Sequence, residues 1–288
     1  MAKEVYAALD QIAAEFEGRI CLAARDMRTG ERILYHADSR CPTASVIKLP
    51  ILIHALLLAS EGGIALDQVL TLGERDARPG SGILKELTPG LRLTLRDACM
   101  LMIALSDNTA TNMVLDAVGI EPVNERMAEL GCRQTRLFRK VFAEGPPVSR
   151  ENARYGLGVT TPRDMLRLLE GLYWGRIGSP ELSASVRSFL AAQQYRDAIP
   201  RYLPPEWKYE GKGGAVDAVR NDVGLVTTPD GQTIALAVFC NRMPRPLWTA
   251  DNPGLIAIAR CARAICEHFR PSTGSEVVPL QESDGPPA

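Results

Sequence analysis

Ser45 and Lys48 stand three residues apart at the head of a long apolar run, Thr43-Ala44-Ser45-Val46-Ile47-Lys48-Leu49-Pro50. On a helix such positions share a face, so the Lys48 amine can reach the Ser45 hydroxyl. Nearly every side chain from 46 to 59 is apolar, which predicts a helix buried on all sides. Desolvation there penalises the charged form of a lysine and lowers its pKa, turning an ammonium into a usable base for a serine nucleophile. Read alone, the pair fits a plainer account better: a helix-end lysine reaching water, beside a serine that caps the helix. About one S-x-x-K is expected by accident in a chain of this length.

Two further clusters change that balance. Ser106-Asp107-Asn108 follows a second apolar helical stretch at 95–105, and Lys212-Gly213-Gly214 follows a predicted strand from 207. A given S-D-N triplet arises by chance only about 0.03 times in such a chain, so the ordered set is no coincidence.

These clusters need elements to hold them, and the chain supplies two kinds. A helical period over 3–16 leads into strands at 19–25 and 32–36, joined by the turn Asp26-Met27-Arg28-Thr29-Gly30. A helix-rich middle follows: the Ser45 helix, a charged loop with Gly and Pro over 73–90, and helices at 95–105, 109–118 and 121–130. Thr161 reads as an N-cap, with Pro162 at N1 and Asp164 at N3, opening a helix to 173. Another helix spans 180–193. Strands return at 207–212, 221–228 and 233–241, with the hairpin signal Pro229-Asp230-Gly231 between the last two, and Asn252-Pro253 opens a final helix to 269. Strands come from both ends and helices from the middle. The expected domains are therefore a discontinuous α/β lobe from 1–40 and 200–270, a helical lobe from 41–199 carrying Ser45 and Ser106, and a disordered tail at 271–288, where Pro, Ser, Gly and acidic residues dominate.

The 288 residues can bury a substantial core. Lys and Arg total 33 against 34 Asp and Glu, a balance that argues against a nucleic-acid or membrane-surface partner held by a basic field. The longest apolar stretch, 47–59, is shorter than the roughly 20 residues needed to span a bilayer, so no membrane segment is expected. The N-terminus enters its helical period directly, leaving no room for a secretion signal. The expected compartment is thus cytoplasmic, or periplasmic or secreted if a signal has been removed. Seven cysteines, at 21, 41, 99, 132, 240, 261 and 266, show no metal-ligand spacing and read as small buried hydrophobes, which weakly favours a reducing compartment. Only three histidines occur. His54 lies nine residues beyond Ser45, on roughly the opposite face of the same helix, and no G-x-S-x-G elbow is present, so a Ser-His-Asp hydrolase is excluded. No zinc cluster, P-loop or dinucleotide-binding glycine fingerprint appears, and no cofactor is expected. A lysine-based serine enzyme remains.

S-x-x-K, S-D-N and K-T-G together form the signature set of class A β-lactamases and penicillin-binding proteins. The chain resembles the class A β-lactamase family from about residue 5 to residue 268, with further likeness in Ser81-Gly82-Ile83-Leu84, Asn108-Thr109-Ala110-Thr111-Asn112 and Thr160-Thr161-Pro162-Arg163-Asp164-Met165. The resemblance implies an α+β fold, an antiparallel sheet flanked by helices plus an all-helical lobe, with the active site between them. It also implies the roles. Ser45 attacks an acyl carbonyl to give an ester, with Lys48 as base or proton relay; Ser106 passes a proton to the departing nitrogen; Lys212 lowers the Ser106 pKa and attracts the substrate carboxylate; Asn108 holds Lys48 and the substrate side-chain carbonyl. Asp107 is expected to fold its turn. The N–H groups of Ser45 and Ala215 form the oxyanion hole, with Gly213-Gly214 allowing close approach of an edge strand. Arg220 reads equally as a second contact for the substrate carboxylate or as a solvated strand residue.

Two departures from the family pattern bear on activity. Gly213 fills the middle of K-T-G, so the hydroxyl that usually helps bind the substrate carboxylate is lost. The loop before Thr160 normally carries a Glu and an Asn, spaced E-x-x-x-N, that activate the deacylating water. Here the acids are Glu144 and Glu151, neither followed by Asn four residues later, and Glu144, before Gly145-Pro146-Pro147, is nearest to the expected place. The expected function is a β-lactamase-like serine hydrolase that opens β-lactam amides and deacylates slowly. The same site would serve a D,D-peptidase or small-ester esterase, or a non-catalytic penicillin-recognising module.

Overall fold

A computed structural model describes residues 2–270; the tail expected at 271–288 lies outside the described residues. From the N-terminus come α1 (Ala2–Glu15), β1 (Arg19–Asp26), β2 (Arg32–Tyr35), β3 (Cys41–Pro42), a 3₁₀ turn (Ala44–Ile47) and α2 (Lys48–Ser60). The middle holds β4 (Val69–Thr71), β5 (Arg92–Thr94), α3 (Leu95–Ala104), α4 (Asn108–Val118), α5 (Glu121–Glu129), β6 (Arg136–Leu137), α6 (Arg150–Tyr155), β7 (Gly158–Thr160), α7 (Pro162–Tyr173) and α8 (Pro180–Ala191). The chain closes with β8 (Lys208–Val216), β9 (Val219–Thr227), β10 (Thr233–Asn241) and α9 (Pro253–Phe269).

The main sheet runs β2-β1-β10-β9-β8, antiparallel throughout, so strands from the two ends of the chain join side by side at the β1–β10 pair. In β10 alternate side chains serve opposite cores. Ala235, Ala237 and Phe239 join one, with α2, α3, α4, α7 and α8; Ile234, Leu236, Val238 and Cys240 join the other, with α1 and α9. That period of two, apolar on both faces, is what a sheet between two helical layers requires. The architecture is the α+β arrangement expected.

Capping sets the helix starts that frame the site. Thr94 and Asp97 form a reciprocal capping box at α3, Thr161 accepts from the Asp164 N–H at α7, and Asn252 accepts from Gly254 and Leu255 at α9; each such cap contributes about 1 kcal/mol. In contrast, α2 has no side-chain cap. Its stability comes from burial: Leu49, Ile51, Leu52 and Ile53 are fully enclosed, each worth about 1.5–3 kcal/mol relative to exposure. All seven cysteines are buried and free.

Candidate active site

The helix expected to begin at Ser45 begins instead as a 3₁₀ turn, Ala44–Ile47, and becomes α-helical at Lys48. Residues i and i+3 eclipse in a 3₁₀ turn, so Ser45 and Lys48 lie one above the other. The plainer account of the pair fails on two observations: Ser45 caps nothing, and Lys48 is fully buried. Ala44, just before the nucleophile position, sits at φ 45°, a left-handed conformation that a non-glycine residue holds only when its surroundings fix it.

Lys48 Nζ lies 2.7 Å from the Ser106 carbonyl, 2.9 Å from Asn108 Oδ1 and 3.1 Å from Ser106 Oγ. No hydrogen bond joins it to the Ser45 hydroxyl among the described residues, so the lysine faces the S-D-N turn. Burial, reinforced by the nearby charge of Lys212, holds its pKa well below the usual lysine range, against an opposing pull from Asp107. An uncharged amine keeps two N–H donors, enough for the carbonyl and the amide oxygen, and frees a lone pair for a hydroxyl proton. Ser106 itself adopts φ 54°. Its carbonyl also accepts from Ser81 Oγ at 2.7 Å, and Asp107 fastens the turn by accepting from the N–H groups of Ala110, Ile83 and Leu84. Asn108 donates to the Pro79 carbonyl at 2.8 Å.

From the sheet, Lys212 Nζ reaches Ser106 Oγ at 3.0 Å and the Gly213 carbonyl at 2.6 Å. Burial brings its pKa down to about 8, with the Asp222 carboxylate opposing. Ser106 Oγ thus sits between two buried amines, a geometry suited to passing a proton. The edge strand β8 approaches the nucleophile turn very closely: a Cβ on Gly214 would lie 2.9 Å from the N atoms of Ser45 and Val46, so only glycine fits. Asn221, opposite Gly214 in the ladder, donates to the carbonyls of Pro42 and Thr43 at 2.8 and 3.1 Å and locks sheet to turn.

Ser45, Ser106, Asn108, Lys212, Gly214, Ala215 and Arg220 all line one cavity of about 860 Å³, and Lys48 lies behind its wall. A model of the "Beta-lactamase enzyme family" matches residues 4–269 of this chain. The chain belongs to the β-lactamase enzyme family. Among solved structures, a β-lactamase from Sphaerobacter thermophilus DSM 20745 is similar at 33% identity and TM-score 0.83, covering 95% of this chain and 99% of that one. An ancestral (GNCA) class A β-lactamase is 26% identical at TM-score 0.81, covering 92% and 100%. A β-lactamase of Streptomyces lavendulae is 28% identical over 258 residues, 87% of this chain and 82% of that protein.

Against the family pattern, the loop from 139 to 157 is the informative wall. Glu144, the sequence candidate for the second base, is exposed and does not line the cavity; its backbone carbonyl accepts from Arg139 at 2.7 Å. Glu151 also points elsewhere and ion-pairs with Arg40 at 2.5 Å. The residue the fold does present is Val141, buried and cavity-lining, its N–H and carbonyl both clamped at 2.9 Å by the Asn112 side chain. No carboxylate from this loop reaches the cavity. Sequence reasoning missed Val141 because it scanned for acids; Asn112, four residues after Asn108 in the S-D-N helix, was the available signal.

Arg220 lines the cavity and, at 2% exposed, is no solvated strand residue. Its guanidinium donates to the carbonyls of Val216 at 2.8 Å, Val219 at 2.7 Å and Leu247, and lies 4.5 Å from the ring centre of the exposed Trp248. Those bonds hold the β8–β9 turn and the loop before α9.

Proposed function

We propose that this chain is a β-lactamase-like serine hydrolase that opens β-lactam amides through an ester on Ser45 and hydrolyses that ester slowly. The observation that supports acylation is the Ser106 hydroxyl held between two buried lysines beside Ser45. Ser45 Oγ bonds to the acyl carbon, its proton leaves through Lys48, the C–N bond breaks, and Ser106 returns a proton to the nitrogen, leaving atoms and charge balanced. Developing negative charge on the acyl oxygen is received by the N–H groups of Ser45 and Ala215. Slow hydrolysis is supported by the apolar Val141 where a water-activating base would face the ester.

Intact-protein mass spectrometry after mixing with penicillin tests the reading. The expected result is one equivalent of ring-opened drug on Ser45 in most chains at steady state, following a burst of product. Mostly free enzyme with rapid turnover would contradict slow hydrolysis, and no adduct with no turnover would contradict the reading as a whole.

The lysine pKa values set a pH profile. Lys212 acts while charged, so acylation should decline as pH rises through about 8, where burial places its titration. Lys212→Arg keeps the charge at all accessible pH, so the alkaline limb of the acylation rate should move above pH 9. An unmoved limb would assign the titration to another group.

A further inference from the structure

Two of the seven buried cysteines touch each other just ahead of the nucleophile turn. Cys21, on β1, stands opposite Phe239 in the ladder, and Arg19 stands opposite Asn241. Side chains two residues apart share a face, so Cys21 and Asn241 are diagonal neighbours on the face that packs against Cys41. The Asn241 amide donates to Cys41 Sγ at 3.6 Å and so holds that thiol over Cys21. The two thiols share a hydrogen bond. That bond lowers the Cys21 pKa, aided by the cations of Arg19 and Arg242 and opposed by burial, and it pushes Cys41 up; one proton of the pair is lost more readily than from an ordinary thiol. Elsewhere burial pushes Cys99, Cys132, Cys261 and Cys266 up to about 12 and raises Cys240 as well. The cover over the pair is thin: Ser39, which contacts both thiols, is half-buried, and Asp38 and Arg40 on either side are exposed.

Cys41 leads directly into the turn that carries Ser45. The carbonyls of Pro42 and Thr43 accept from Asn221, the Thr43 N–H donates to the Gly158 carbonyl at 3.0 Å, and Ala44 follows at φ 45°. A sulfur–sulfur bond would draw the two sulfurs to about 2.0 Å, inside their hydrogen-bonding separation. The displacement falls on β3, which is two residues long, because β1 is paired on both sides within the main sheet. We infer that Cys21 and Cys41 are an oxidative modification site, converted reversibly to a disulfide by hydroperoxides, and that the disulfide slows acylation of Ser45 by shifting its turn. With hydrogen peroxide, a thiolate sulfur attacks one oxygen and breaks the O–O bond, giving a sulfenic acid and hydroxide, which takes up the proton the thiol released. The neighbouring thiol then attacks that sulfur, the S–S bond forms and water leaves; two electrons pass from sulfur to peroxide and two waters result. A dithiol reverses the step by exchange. The effect on rate rests on the Ser45 acylation reading above, whereas formation of the disulfide does not.

Hydrogen peroxide followed by dithiothreitol tests it on the unaltered protein. After peroxide, with the remaining thiols alkylated in denaturant, the tryptic peptides 20–25 and 41–48 should appear joined and two hydrogens lighter than their sum, with the other cysteines alkylated. The rate of Ser45 labelling by a fluorescent penicillin should fall at least about threefold and recover in dithiothreitol, since a 1 Å misplacement can cost about 10²-fold. Cys21→Ala and, separately, Cys41→Ala remove one sulfur of the bond, and each should label at a rate that peroxide leaves unchanged. The absence of the joined peptide, a joined peptide with an unaltered labelling rate, or a Cys21→Ala variant slowed by peroxide as much as the parent would overturn the inference. Reduced protein that never takes up the label would instead overturn the acylation reading, and the joined peptide would still decide whether the disulfide forms.

Discussion

Replacing Ser45 with alanine should abolish covalent labelling by a fluorescent penicillin while leaving the thermal midpoint within a degree or two of the parent. The side chain lines a cavity, caps no helix and makes no hydrogen bond that the fold needs, and surface substitutions away from such features usually fall within about 0.5 kcal/mol. Persistent labelling would move the nucleophile elsewhere. Lys48→Ala is a different case, since the lysine fills a fully buried space and holds Ser106 and Asn108. Acylation should slow by about 10² to 10⁴, the range of a positioned general base, and stability should fall as well. Lys48→Met fills most of the space without a basic nitrogen and separates the two effects: a soluble, folded Met variant that labels at the parent rate would show that the amine is not the base.

The second large effect concerns Val141. Its backbone is fixed on both sides by Asn112 and the residue lines the cavity, so Val141→Glu is expected to bring a carboxylate to the cavity without rebuilding the loop. Hydrolysis of the Ser45 ester should accelerate by about 10² to 10⁴ if that carboxylate orients and activates water. Steady-state mass spectra should then shift from mostly acylated to mostly free protein. Glu144→Gln, by contrast, should leave the ester lifetime unchanged, because Glu144 is exposed and outside the cavity. A longer lifetime in Glu144→Gln would mean that the loop closes over the ester and brings that acid inward.

Strongly periodic or capped segments were legible in the sequence to the residue. Thr161-Pro162 and Asn252-Pro253 mark the starts of α7 and α9, and β10 has its expected bounds. Six short pieces were not: β3, β4, β5, β6, β7 and α6 are too short to display a period, and the five strands among them exist through pairing with other segments. β8 runs four residues beyond its expected end at 212 because Gly213-Gly214 reads locally as a turn, whereas the approach to Ser45 demands glycine within a strand. In the site, residues of the three motifs meet around one cavity, with Lys48 bonded to the S-D-N turn and not to the Ser45 hydroxyl that its spacing pointed to. Asp222 and Val141 were hidden since each owes its place to a cross-chain relation, one to ladder register with Gly213 and the other to the Asn112 amide.

On β8 and β9 the Tyr209 ring lies across Gly211 and Gly224 and donates its hydroxyl to the buried Asp222, with a consequence for how this protein can diverge. A side chain at 211 or 224 evicts the ring, an evicted ring leaves Asp222 without its hydroxyl partner, and a phenylalanine at 209 strands the carboxylate with a single donor. Single replacements at 209, 211 or 224 therefore incur the cost of an under-satisfied buried acid, about 1–3 kcal/mol, and replacement of Asp222 alone leaves the buried Tyr209 hydroxyl without its carboxylate acceptor, whereas a joint replacement need not. Descendants of this chain should keep the quartet whole or lose it together, as a block of linked substitutions rather than by gradual drift.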